Sequence, residues 1–436
     1  MASPHGEALD EKSTLVNHSD APNAATRWVL CNLIQQLRFS KEQLSASSIS
    51  TTVAENLYGT KEGQLPHKEL VGLAADAVDL LHDIQRRLEP SHLTLADHFF
   101  GYMNAKCLVA AVELGIPDAL KKQPLTIDQL AATVQARPDR TAQVMRALYN
   151  NGIFQYDHQS NVFSNNAASE MLTSDHWTQW RNWVDLYGNE FYDIARGIPA
   201  SLKADTKRSA AQHNYDTDDD MFTYFQKQGW VPRLHRTLGG GATAQAPGIL
   251  ADYPWHEIAD QTVIDIGGGG GALIAALLRN HDTMRGGVFD LIKVIEHIRP
   301  FFNPGGMYED VCNRVPSENL IAGNFLEEVP AYHVYTMKWC LHDWNDADAI
   351  KVLCNIRRAI LGGEKSRLIV LESVRADGAM GRLSRYGDIN MMMTAKGQER
   401  SEKEWRFLAE SSGWAVSQIY PLRNAWVSAI EFRPSH

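Results

Sequence analysis

Three groups of residues have types and spacings suited to chemistry. The first is a run of five glycines, Gly267 to Gly271, directly after the apolar segment Val263-Ile-Asp-Ile266. An apolar strand that ends in glycines and continues into a helix makes a tight turn where a ligand can approach the main chain closely. The second group is a pair of carboxylates beside that turn. Asp265 precedes the glycines, and Asp290 closes the next apolar run, 287–289. The third is the segment Met337-Lys-Trp-Cys-Leu-His342-Asp-Trp-Asn-Asp346, a histidine among acids at the end of another apolar run. An imidazole there is suited to taking a proton near neutral pH.

The glycine turn alone does not choose its ligand. A dinucleotide site needs GxGxxG with an acid ending the second strand. Gly267, Gly269 and Ala272 fit only the loose form, which nicotinamide, flavin and S-adenosylmethionine sites share. The carboxylates narrow the choice. Asp290 can hold both ribose hydroxyls. Asp265 can neutralise the ammonium of a methionine moiety and would repel a pyrophosphate. A nucleotide region that begins after residue 250, behind a helical region, also suits a methyltransferase better than a dehydrogenase.

These groups need a sheet to position them. Apolar runs at 262–266, 287–289, 319–322, 333–339 and 367–372 read as strands, and 415–420 with 425–432 as a closing antiparallel hairpin. Helices are expected over 272–278, 346–361 and 402–411. Strands alternating with helices imply a mostly parallel sheet covered on both faces, a Rossmann-like α/β domain of seven strands. Upstream, Trp28, Leu30, Leu33, Ile34 and Leu37, then Leu70, Leu73, Val78, Leu81 and Ile84, recur at helical spacing, with a break expected across 45–52. A helix over 105–120, one over 127–134 capped by Thr126, one over 138–148 and two short strands at 153–156 and 161–164 form a winged-helix pattern.

The resulting division is a disordered tail over 1–25, a helical extension over 26–92, a winged-helix-like region over 93–200, a linker with lid helices over 201–250, and the nucleotide-binding domain over 251–436. The polar stretch 201–220 reads as a solvated loop. The aromatic stretch 221–230, with Phe222, Tyr224, Phe225 and Trp230, fits either a core helix or a wall over an apolar ligand.

Bulk properties exclude several classes. The 436 residues carry a formal net charge of -10, and the winged-helix region lacks a basic footprint, which disfavours nucleic-acid binding. The five cysteines are odd in number and form no CxxC pair, so reduced thiols without a metal site are expected. No apolar run approaches a membrane span and residues 1–12 lack a signal-peptide core, which implies a cytoplasmic protein without membrane insertion.

Taken in order, Asp265-Ile-Gly-Gly-Gly, Val288-Phe-Asp-Leu291, Gly323-Asn-Phe325, Lys338-Trp through His342-Asp-Trp-Asn-Asp346, and Gly397-Gln-Glu-Arg-Ser401 resemble the plant-, fungal- and bacterial-type small-molecule O-methyltransferases. The resemblance spans about residues 95 to 435. It implies a class I methyltransferase fold, S-adenosylmethionine as cofactor, and a homodimer formed through the winged-helix region. It also implies that His342 is a general base flanked by Glu372 and Glu399. The implied cofactor contacts are Asp265, Gly267, Gly269, Asp290, Leu291, Asn324, Phe325 and Lys338. The expected substrate contacts are Phe225, Trp230, Asp343 and Met392. Read by themselves, Glu372 also fits a solvated strand end, Glu399 a charged helix start, and Lys338 an ordinary snorkelling side chain.

Three positions depart from the family pattern. Asn324 stands where an acid is usual, Ile292 replaces a proline, and Gly269-Gly-Gly271 lacks the usual hydroxyl residue. The expected function is methyl transfer to a hydroxyl of an aromatic or polyketide-type secondary metabolite. The alternatives are a pericyclase or cyclase on the same fold, with Lys338 or His342 polarising a carbonyl, and a non-catalytic winged-helix regulator.

Overall fold

Helices come first along the chain. The computed structural model describes residues 20–58 and 61–435. In it, α1 (Asp20–Ser45) and α2 (Ser47–Leu57) are separated only by Ala46, whose ψ of 134° breaks the helix. The break expected across 45–52 is therefore confined to one residue. Ser47 to Thr52 are helical, and their hydroxyls are accommodated by bonds back one turn: Thr51 Oγ1 donates to Ser47 O and Thr52 Oγ1 to Ser48 O. α1 starts inside the segment expected to be a disordered tail; residues 1–19 of that tail lie outside the described residues. The chain forms two units, Met1–Gly59 and Thr60–His436.

The second unit opens with α3 (Lys68–Leu88), α4 (Ser91–Glu113), α5 (Ile116–Lys122), α6 (Ile127–Thr133) and α7 (Pro138–Asn150). The single helix expected over 105–120 is two, because Gly115 turns the chain in the left-handed conformation at φ +68°. Thr126 and Gln129 form a reciprocal capping box that starts α6. A two-stranded wing follows, β1 (Phe154–Asp157) and β2 (Val162–Asn165), with Leu125 bridging to Phe163. Ile116, Leu130, Met145, Leu148 and Phe163 close one core beneath it. The expected order is present with its first helix divided, so four helices, α4 to α7, precede the wing. No single helix among the described residues is long and apolar enough to cross a membrane.

The stretch 201–220 is not simply a solvated loop. Ser209 caps a short helix, Ala210–Asn214, whose Ala210, Ala211 and Gln212 are buried. Its acidic end is tied down by Arg208, which pairs with Asp216 and Asp218. The long helix Val231–Asp252 then packs so closely that a Cβ at Gly241 would overlap the Trp183 ring.

Seven strands form the second sheet: β3 (Thr262–Ile266), β4 (Arg285–Asp290), β5 (Leu320–Ala322), β6 (Val334–Lys338), β7 (Arg367–Glu372), β8 (Trp414–Pro421) and β9 (Ser428–Pro434). Their order is β5-β4-β3-β6-β7-β9-β8, parallel except for β9, which runs antiparallel to β7 and β8. Alternate residues feed two cores. Ile369 and Leu371 of β7 face one, and Leu368 and Val370 the other. A strand buried on both faces reads as a continuous apolar run, so these strands were visible in the sequence. The chain leaves β3 to one side as β4 and returns on the other as β6. That reversal opens a crevice at the carboxyl ends of β3 and β6, where ligands of open α/β sheets bind.

Candidate active site

β3 delivers Asp265 to this crevice, almost fully buried. It is level with Thr336 of β6, whose hydroxyl donates to Asp265 Oδ1 at 2.7 Å. Burial pushes the Asp265 pKa up to about 7; the Thr336 hydrogen bond and the Lys338 charge only partly offset this. The glycines that follow are strained into place for a reason. Gly267, Gly269 and Gly271 have φ of +68°, +51° and +78°, a region closed to most side chains. A Cβ at Gly267 would also crowd Cys340 Sγ at 3.1 Å, with the Phe325 ring at 3.8 Å. Asp290 at the end of β4 locks the loop. One carboxylate oxygen accepts the Gly269 amide at 2.9 Å and the other accepts the Leu291 amide at 2.7 Å. The Leu291 side chain beside it is exposed.

Lys338, at the end of β6, places its ammonium 4.4 Å from the Trp339 ring centroid. Burial lowers its pKa, opposed by the nearby charges of Asp265 and Glu372. Phe325 packs edge-on to Trp344. Asn324 is engaged locally. Its Oδ1 accepts the Leu326 amide at 3.0 Å and its Nδ2 donates to Glu327, so both side-chain atoms serve the local turn.

Beyond Lys338 the chain turns through Trp339 at φ +49° into a short 3₁₀ turn, Leu341–Asp343. Glu372, at the end of β7, holds that turn. Its Oε1 accepts amides from Cys340, Leu341 and His342 at 2.8, 2.9 and 3.4 Å. This settles the alternative for Glu372: it is fully buried, not a solvated strand end. His342 Nδ1 lies 2.9 Å from Glu399 Oε1 and 3.4 Å from Glu372 Oε2, while Nε2 lies 3.7 Å from Asp343 Oδ1. Glu399 is likewise buried rather than part of an exposed helix start.

The electrostatics of this cluster follow from burial against charge. Burial opposes the imidazolium, but Glu372 and the hydrogen-bonded Glu399 outweigh it, and the His342 pKa is pushed up to about 9. Glu372 is raised from the usual carboxylate range, by burial first, with Glu399 adding to it and His342 opposing. Asp343 is raised by burial too. Glu372 Oε2 and Glu399 Oε2 are buried without a hydrogen-bond partner.

The Gly397–Ser401 segment that carries Glu399 is pinned to the His342 turn. The Gln398 amide donates to His342 O at 2.9 Å, and a Cβ at Gly397 would overlap that same oxygen. Fully buried Arg400 donates to Leu341 O, Trp344 O and Asp346. The expected substrate residues fall in two places. Asp343 sits beside His342. Phe225 is fully buried in a separate cluster with Leu186, Phe191 and Met393, against which Trp230 and Met392 pack. The core-helix reading of 221–230 therefore holds for Phe225.

Sequence reasoning did not single out Thr336, Arg375, Asp388 or Trp183. Thr336 was legible in principle, as a polar residue inside an apolar strand. Arg375 and Asp388 lie on segments without periodic signal. Trp183 packs against Tyr187 and Trp426, and Trp339 lies near it, but each comes from a different part of the chain.

Comparison with known proteins places this geometry. Residues 259–415 match the O-methyltransferase domain, and residues 96–175 match the O-methyltransferase dimerisation domain. The O-methyltransferase aclM of Aspergillus oryzae is 56% identical over 421 residues, 96% of each chain. The O-methyltransferase verK of Clonostachys rogersoniana is 50% identical over 85% of this chain and 91% of its own. Among solved structures, the O-methyltransferase NcsB1 from neocarzinostatin biosynthesis, in complex with S-adenosyl-L-homocysteine and 1,4-dihydroxy-2-naphthoic acid, superposes with a TM-score of 0.55 at 25% identity. That alignment covers 76% of this chain and 95% of NcsB1. With both domains matched in order and the glycine turn, paired acids and buried His342 cluster in place, this chain belongs to the O-methyltransferase family.

Proposed function

We propose that this enzyme transfers the methyl group of S-adenosylmethionine to a hydroxyl of an aromatic or polyketide-type secondary metabolite, with His342 as general base. The acceptors of the crevice fit the cofactor. Asp265 is a buried carboxylate whose burial outweighs the help of its neighbours, so a bound ammonium supplies the charge it lacks. Asp290 keeps acceptor capacity for ribose hydroxyls beyond the two amides it holds. Exposed Leu291 offers an apolar flank for a base. When bound, the cofactor supplies an electrophilic methyl group on a positively charged sulfur.

The His342–Glu399 hydrogen bond carries the base assignment. With Nδ1–H donated to Glu399, the hydrogen-bond network assigns the tautomer whose Nε2 is the acceptor. A phenol, with a pKa of about 10, is a poor nucleophile until its proton is removed. Nε2 takes that proton, and Glu372 and Glu399 stabilise the imidazolium that forms. The dimerisation domain and the exposed apolar residues of α4 support a homodimer.

The test is mass spectrometry on the full chain with S-adenosylmethionine and a panel of phenolic probes that includes 1,4-dihydroxy-2-naphthoate. The expected product is heavier by one methyl group, and His342→Ala lowers the rate by roughly 10²- to 10⁴-fold. Isomerisation of a probe at constant mass, or full activity in His342→Ala, would refute the assignment.

A further inference from the structure

The helix Arg382–Thr394 meets Glu399 twice. Glu399 Oε1 and Cγ lie 3.2 and 3.3 Å from where a Cβ on Gly387 would stand, so a larger residue there would push the Glu399 side chain by a few tenths of an ångström. The next residue, Asp388, accepts the Glu399 amide on Oδ1 at 3.0 Å. Its other oxygen accepts from Arg375 Nη1 at 3.2 Å. The same Nη1 donates to the Glu399 carbonyl at 2.9 Å. Both main-chain polar groups of Glu399 therefore end in one ion pair. Arg375 is itself fixed: Nη2 donates to Glu404 at 2.9 and 3.1 Å, and its amide donates to Arg400 O at 2.8 Å.

Part-exposed ion pairs contribute little to stability as such. This one instead grips the residue whose carboxylate touches His342. We propose that Asp388, Arg375 and Gly387 are positioning residues that hold the Glu399 carboxylate on His342 Nδ1 and so set the proton state of the ring. This rests on His342 serving as the base. The groups that face the ring are Glu372 from β7, Glu399 from the Gly397–Ser401 segment, and Asp343 beside it, with Lys338 acting on Glu372 and Arg400 on the carbonyls of the same turn. Of these, the clamp touches only Glu399 and, through a main-chain bond, Arg400. Loosening it is thus read through the Glu399–His342 pair.

The experiment is an NMR titration of the full chain labelled at histidine ¹³Cε1, with the His342 signal assigned by its loss in His342→Gln. Glu399→Gln is expected to move the His342 titration to lower pH by about one unit or more. Asp388→Asn and Gly387→Ala are expected to move it the same way, and Asp388→Asn to add nothing in the Glu399→Gln background. A titration moved by Glu399→Gln but unmoved by both helix variants overturns the clamp alone. So does an Asp388→Asn shift that persists undiminished without the Glu399 charge. A titration unmoved even by Glu399→Gln overturns the underlying pairing, and His342→Ala activity decides the base assignment separately. Thermal unfolding of each variant identifies any that fails to fold, and Arg375→Lys then replaces it, with the same downward shift expected.

Discussion

His342 carries more positive charge at rest than its proposed role as a base calls for. Two buried carboxylates raise its pKa from 6.5 to about 9 against the pull of burial, so the protonated ring dominates in the free enzyme near neutral pH. A protonated Nε2 cannot accept a proton. The sign follows: kcat/KM, which reports the free enzyme, rises with pH through neutrality and levels off near pH 9. In Glu399→Gln the ring loses a carboxylate partner, its pKa falls, and the rising limb moves to lower pH. Its plateau also falls, by roughly 10- to 100-fold, because a glutamine can turn either its carbonyl or its NH₂ group toward Nδ1 and no longer selects one tautomer. Initial rates from pH 6 to about 10 on wild type and variant check both movements. A limb that shifts to higher pH in the variant would refute the assigned electrostatics.

At the scale of elements, the site depends on two loops meeting at the main chain. Gly397 lies against the His342 carbonyl with no room for a methyl group. Gly397→Ala should therefore destabilise the protein by about 1–3 kcal/mol through overpacking. Chemical denaturation reads this as a lower midpoint at unchanged slope. Much of this scale was legible beforehand. The buried parallel strands announce themselves as apolar runs; Asp265 and Asp290 were legible from their places at the ends of such runs, while the pairing of His342 with Glu372 and Glu399 came with the family resemblance. What was not legible depends on contacts distant in sequence. Nothing near Asp388 signals that it will hold Glu399, and nothing near Asn324 signals that both its side-chain atoms will be spent on the turn to Leu326 and Glu327. The α4–α5 break was missed for another reason: the apolar spacing runs through Gly115, while its left-handed φ does not show in the periodicity.

For the molecule as a whole, α4 poses the problem of an apolar surface without cover. Leu95, Phe99, Phe100 and Tyr102 are each more than half exposed, in a helix that runs into the dimerisation domain. Apolar patches of this kind mark interfaces. Replacing Leu95 and Phe99 together by glutamate should convert a dimer to a monomer of 48.8 kDa in sedimentation velocity. A wild type that already sediments as a monomer at micromolar concentration would contradict the proposed homodimer.

Glu372 joins two tasks in one side chain. One oxygen gathers three consecutive amides and shapes the turn that carries His342; the other supplies charge to the ring. Shape and voltage therefore cannot be adjusted independently at this position. Aspartate is too short to reach the same amides. Glutamine keeps the acceptor for them but turns an NH₂ group toward the ring N–H, setting donor against donor. Each nearest replacement at this position thus gives up either the turn or the charge at the ring.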